Sequence, residues 1–160
     1  MSEKLTVGIS DWKICTSPDS LITYALGSCV GICLYDKNSR IAGLAHIMLP
    51  DSTAITGGAA TRAKFADTAI VDMIDAMKAK GANITALTAK IAGGAVMFQS
   101  ASSQFNIGER NVEAVKKKLA ELRIPIIASD TGLNYGRTVT FFADNGSLEV
   151  NSASKGKSMI

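Results

Sequence analysis

One histidine and three cysteines are the side chains of this sequence whose types invite chemistry. A cysteine thiolate is strongly nucleophilic, and a neighbouring imidazole can hold the proton that the thiol must lose. Because His46 is the only histidine, any cysteine activated by an imidazole has to meet it, and the question becomes which of Cys15, Cys29 and Cys33 does so. Cys29 follows Gly27 and Ser28 at a bend between two apolar runs. A turn there projects the thiol and leaves the cysteine's own amide free to donate to an oxyanion. Cys33 lies inside the apolar run Val30 to Leu34, the usual setting of a buried structural cysteine. Cys15, near Ser17 and Pro18, fits either description. His46 has a second reading too, since a lone histidine between Ala45 and Ile47 also suits a satisfied core residue.

Three cysteines and a histidine match the ligand count of a zinc site, but the spacing opposes it. On an extended strand Cys29 and Cys33 stand ~13 Å apart, too far to share an ion. The gap between them is filled by Val30, Gly31 and Ile32, not by the short loop of a zinc motif. The expectation is no metal and no cofactor.

The elements that must position these residues can be read from periodicity. Leu21 to Tyr35 reads as two apolar strands meeting at the Gly27-Ser28 bend, and Arg40 to Leu49 as a third that ends at Pro50. Asp51 to Arg62 is small, polar and glycine-containing, a long loop close behind His46. Ile70, Met73, Ile74 and Met77 form the stripe of an amphipathic helix that Gly81 is placed to end. Ala86 to Phe98 reads as a strand interrupted by Gly93 and Gly94. A second helix follows, with Asn106 as its cap and Val112, Val115, Leu119 and Leu122 on one face. Arg123 to Ala128 and Thr138 to Val150 supply further strands, the latter a hairpin turning at Asn145 and Gly146. Strands before, between and after two helices, with a C-terminal hairpin, indicate an α+β layered fold.

At 160 residues and 47% hydrophobic, the chain can bury one core, so residues 1–150 are expected to form one domain and the polar residues 151–160 a disordered tail. The net charge of +3 is spread along the sequence. Its densest run, Lys116 to Lys118, falls on the second helix opposite an apolar face, which favours a solvated surface over a nucleic-acid interface. Met1 to Ser10 has no continuous apolar core of the secretory kind, and no run approaches the ~18 apolar residues of a membrane span. An odd cysteine count without an export signal agrees with a cytoplasmic, reducing setting.

Several blocks in order carry a family resemblance. Thr23 to Asp36 (Thr-Tyr-Ala-Leu-Gly-Ser-Cys-Val-Gly-Ile-Cys-Leu-Tyr-Asp) and Gly43 to Pro50 (Gly-Leu-Ala-His-Ile-Met-Leu-Pro) resemble the signature of CheD, the chemoreceptor glutamine deamidases. Lys90 to Ala95, Met97-Phe98, Asn106 to Asn111 and Asp130 to Gly132 are similar to that family's later blocks. The resemblance implies a sheet sandwich flanked by helices. It also implies Cys29 as nucleophile, His46 as its base and Thr23 as the group that orients the histidine. The substrate implied is a glutamine side chain on the cytoplasmic part of a methyl-accepting chemoreceptor, converted to glutamate through a cysteine thioester. The same resemblance implies a CheC-type phosphatase as partner, so a binding role without catalysis stands as the alternative. Ser28 and Cys33 match the pattern without an assigned role beyond packing and shaping the turn.

Overall fold

The computed structural model describes residues 2–54, 61–96 and 106–160. Its strands are β1 (Lys4–Thr6), β2 (Asp11–Thr16), β3 (Ser20–Leu26), β4 (Val30–Asp36), β5 (Ile41–Ile47), β6 (Leu87–Gly93), β7 (Ile126–Thr131), β8 (Arg137–Phe142), β9 (Leu148–Ser152) and β10 (Gly156–Met159). The helices α1 (Ala66–Lys80) and α2 (Ile107–Glu121) flank β6 in the chain. Two mixed sheets of five strands result, ordered β1-β3-β8-β9-β10 and β2-β5-β4-β6-β7. The α+β layered sandwich expected from the alternation of strands and helices is the fold observed.

The apolar pattern explains the layering. Every residue of β4 is buried, because one face packs on the helices and the other on the opposite sheet. Val30, Ile32 and Leu34 join Ile70, Met73, Met77, Val115 and Leu119 in the layer between sheet and helices. Cys33 and Tyr35 face the other way and pack with Leu21, Leu44, Val139 and Phe141 between the two sheets. Fully burying side chains of this size contributes about 1.5–3 kcal/mol apiece. The stripe Ile70, Met73, Ile74 and Met77 lies on α1 as its spacing requires, and Gly81 closes the helix at φ 117°.

The two strands that meet at the Gly27-Ser28 bend belong to different sheets, so the bend is a crossing of the sandwich and not a hairpin. The crossing is prepared one step earlier: between Thr23↔Val139 and Leu26↔Arg137 the register of β3 shifts, and Ala25 within that bulge has φ 59°. Asn106 occupies the N-cap of α2 as expected but its side chain caps no backbone amide; it donates to Glu109 instead. Strands β1 and β2 were not anticipated, since Lys4–Thr6 is short and Asp11–Thr16 mixes charge with apolar residues. Residues 55–60 of the expected loop, and Met97 and Phe98 of the expected strand, lie outside the described residues.

The C-terminus corrects the sequence reading. Asn145 and Gly146 do turn the chain from β8 to β9, but residues 153–160 return as β10, which pairs antiparallel with β9. The polar tail expected to be disordered is held by main-chain hydrogen bonds: the Ile160 amide donates to the Leu148 carbonyl at 2.9 Å, and the reverse bond is 3.1 Å. Its polarity reflects an edge strand with both faces toward solvent, the kind of strand that apolar periodicity does not mark. Hydrogen exchange followed by NMR tests this directly. The Ile160 amide is expected to exchange many-fold more slowly than a free peptide, whereas a frayed tail exchanges at the free-peptide rate.

Candidate active site

All three residues implied by the resemblance gather at one end of the sandwich. In β5, His46 pairs across the sheet with Gly31 of β4. Cys29 stands two residues before Gly31, immediately ahead of β4, and therefore shares its side of the chain. Its partly buried side chain packs against the cluster between the two sheets. Diagonal neighbours of this kind have Cβ atoms about 7 Å apart, within the span of a thiol and an imidazole.

Thr23 reaches the histidine from the opposite sheet. Its Oγ1 lies 2.7 Å from His46 Nδ1 and donates to the Val7 carbonyl, also at 2.7 Å. A hydroxyl carries a single proton, and a carbonyl oxygen can only accept. With that proton committed to Val7, the threonine oxygen accepts from the imidazole, and Nδ1 of neutral His46 must carry the ring proton. Nε2 is then the basic lone pair, and among the described residues it has no hydrogen-bond partner although it is buried. Thr23 and His46 are both fully buried, and burial lowers the His46 pKa from 6.5 to about 4.

The nucleophile candidate has the complementary bias. Burial raises the Cys29 thiol pKa, and its own backbone amide works in the opposite direction, pulling it down. A raised thiol beside a lowered imidazole means that the resting pair is neutral, thiol with imidazole, and not thiolate with imidazolium. The other two cysteines are less suited. Burial pushes Cys33 strongly upward and Cys15 up to about 12. By register Cys33, two residues after Gly31, is as near to His46 as Cys29 is, but it is fully buried within β4, whereas Cys29 is only partly buried. Cys15 pairs with Ala42, four residues from His46. None of the three forms a disulfide.

The turn that carries Cys29 is anchored through three successive carbonyls. Gly27 O accepts from the Ala95 amide at 2.8 Å and Cys29 O from the Gly94 amide at 2.8 Å. Ser28 O accepts from Asn111 Nδ2 at 2.9 Å. Gly93 has to be glycine here, because its φ is 105° and a Cβ would stand 2.3 Å from the Cys29 carbonyl oxygen. Beside this turn, the fully buried Arg137 donates to Asp130 at 2.9 Å and to the Gly132 carbonyl at 3.0 Å, fixing the segment between β7 and β8. Asn111, Arg137 and the Val7 carbonyl were all missed by sequence reasoning. Only Asn111 left a signal: it lies four residues before Val115, on the apolar face of α2, where a polar side chain needs a reason.

A sandwich that converges a half-buried thiol, a neutral imidazole with a free Nε2 and an orienting hydroxyl has the components of acyl transfer through cysteine. Comparison with known proteins gives the family. The family model CheD, chemotactic sensory transduction, matches residues 48–152, beginning two residues beyond His46. The probable chemoreceptor glutamine deamidase CheD of Lachnoclostridium phytofermentans is 49% identical over the whole of both chains. The chemoreceptor glutamine deamidase CheD of Halalkalibacterium halodurans is 46% identical, again over the whole of both. The probable chemoreceptor glutamine deamidase CheD of Haloarcula marismortui is 44% identical over 94% of this chain and 86% of its own. The chain belongs to the CheD family.

Acid should destabilise this fold through His46. The unfolded chain binds a proton there below pH 6.5, while the folded chain does so only near pH 4. Between those values unfolding therefore takes up a proton, and stability is lost as pH falls. Asp36, Asp51 and Asp72, whose pKa values are lowered from 3.8, act only below that window. Urea titrations should show a midpoint that declines from pH 6.5 to pH 4.5, and His46→Gln should flatten that decline.

Proposed function

We propose that this chain is a protein-glutamine deamidase acting on chemoreceptors, with Cys29 as nucleophile, His46 as general base and Thr23 as the residue that orients the histidine. The observation that carries the reading is the hydrogen bond between the His46 imidazole and Thr23, which leaves Nε2 as the basic lone pair of the ring. The names of the full-length relatives support the reaction and the class of substrate.

The chemistry proceeds as two acyl transfers. Cys29 Sγ attacks the carboxamide carbon while His46 Nε2 takes the thiol proton, and the carbonyl oxygen becomes an oxyanion beside the Cys29 amide. His46 passes the proton to the amide nitrogen, the C–N bond breaks, and ammonia leaves a thioester behind. Water then attacks the thioester, His46 takes one proton from it and returns it to the expelled sulfur, and the released glutamic acid gives its remaining proton to solvent to become the carboxylate. The imidazolium exists only in passing, because burial disfavours its charge and Thr23 offers a neutral oxygen where a carboxylate would bring a compensating negative charge.

A macromolecular substrate suits the surroundings. Ile9, Tyr24, Met48 and Leu133 are exposed apolar side chains, and the strand directions bring all four to the end of the sandwich that holds Cys29. An apolar rim favours a protein segment over free glutamine. Among the described residues no helix is long and apolar enough to cross a membrane, and the receptor is met as a partner.

Ammonia release, with mass spectrometry of a receptor cytoplasmic fragment, tests the reading. Wild type should convert particular glutamines to glutamate, Cys29→Ala should abolish conversion, and His46→Ala should lower the rate by roughly 10²–10⁴-fold. Thr23→Val should cost roughly tenfold, the loss of one hydrogen bond at the base. Conversion by Cys29→Ala at the wild-type rate rules out the thiol mechanism. A wild-type chain that converts no receptor glutamine while binding a CheC-type phosphatase supports the adaptor role in place of catalysis.

A further inference from the structure

Asn111 is fully buried in the first turns of α2, yet its side chain serves neither the helix nor the apolar core around it. Its Nδ2 donates to two carbonyls, Ser28 O and Met48 O, both at 2.9 Å. Two acceptors fix which way the carboxamide faces, since only the NH2 group can serve them. Ser28 immediately precedes Cys29, and Met48 lies two residues after His46. One carboxamide thus ties the turn of the nucleophile to the strand end of the base. The two remaining anchors of the turn, the Gly94 and Ala95 amides, hold it to the chain just beyond β6. The β4–β5 ladder begins only at Val30↔Ile47, so Asn111 is the side chain that ties Ser28 to the segment beyond β5. Asn111 Oδ1 is buried and, among the described residues, without a partner, so the residue is kept at the cost of an unsatisfied acceptor. The close fit of α2 against the turn limits other solutions: a Cβ on Gly108 would stand 2.3 Å from the Ala95 carbonyl oxygen.

We infer that Asn111 is a positioning residue for the thiol–imidazole pair, setting the distance between Cys29 and His46 through the Ser28 and Met48 carbonyls. The inference rests on the deamidase reading for its effect on turnover, though not for its effect on the thiol. It acts through geometry: without the bridge the turn and the strand end relax apart, Nε2 no longer receives the Cys29 proton, and the thiol behaves as though the histidine were absent.

The thiol therefore reports on the bridge without any substrate. Iodoacetamide alkylation is measured at Cys29 by peptide mapping in wild type, His46→Gln, Asn111→Leu, Asn111→Ser and the Asn111→Leu/His46→Gln double variant, each checked by melting to be folded. The expected result is that both Asn111 variants alkylate as slowly as His46→Gln and lose the same limb of the pH profile. The double variant should then be no slower than His46→Gln alone, because both changes remove one coupling. With a receptor fragment, Asn111→Leu should lower kcat tenfold or more and leave KM within twofold. Wild-type alkylation rates in a folded Asn111 variant, or a double variant slowed by the product of the single effects, would overturn the inference. So that the question does not depend on any variant folding, the Asn111 carboxamide protons of wild type are expected to be exchange-protected and to shift on alkylation of Cys29. Freely exchanging protons contradict the bridge. A wild-type chain that releases no ammonia overturns the deamidase reading alone, and the alkylation comparison still decides the role of Asn111.

Discussion

A single hydroxyl proton governs the candidate site. Thr23 can give it to one acceptor, and the Val7 carbonyl takes it. The threonine oxygen is thereby left as an acceptor, the imidazole must donate from Nδ1, and the basic lone pair of His46 must be Nε2. Were that proton released from Val7, the hydroxyl could donate to the ring, and the histidine could take the other tautomer with no base left facing the thiol. The loop between β1 and β2, which looks like a mere connection, supplies the carbonyl on which this depends.

The rest of the fold can be understood as what is needed to bring the three residues together from two sheets. Thr23 sits in one sheet and His46 in the other, so their hydrogen bond crosses the apolar layer between the sheets. Cys29 occupies the crossing itself, where the bulge in β3 and the following turn carry the chain from the first sheet to the centre of the second. Burial, which stabilises the sandwich, also sets the protonation states: it raises the thiol and lowers the imidazole to about 4. The resting site is neutral for the same reason that the core is stable. In the proposed mechanism charge appears only as the reaction proceeds, where backbone amides and the threonine oxygen can meet it.

Much of this was legible in the sequence, to different depths. The helix stripe from Ile70 to Met77 and the fully apolar β4 follow from side-chain periodicity, because burial on one face or two leaves a direct mark on residue order. The edge strands β1 and β10 left no such mark, since edge strands exposed to solvent are polar and short. Cys29 and His46 could be paired as candidates because the chain has one histidine, but their proximity depends on the β4–β5 register, which no local pattern reveals. The placement of Thr23 required knowing that two consecutive strands belong to different sheets. Asn111 left only a faint mark, because a side chain that bridges two carbonyls from distant segments has no signature beyond being polar on an apolar face.

The central claim concerns a proton on one nitrogen, and the presence of a single histidine makes it directly observable. Long-range ¹H–¹⁵N correlation of the ¹⁵N-labelled wild-type chain, followed from pH 8 to pH 4, reports both ring nitrogens of His46 without assignment ambiguity. The account predicts a neutral ring at pH 7 with the proton on Nδ1, an unprotonated Nε2, and titration only on approach to about pH 4. A ring carrying its proton on Nε2 at neutral pH, or one titrating near the ordinary 6.5, would contradict it.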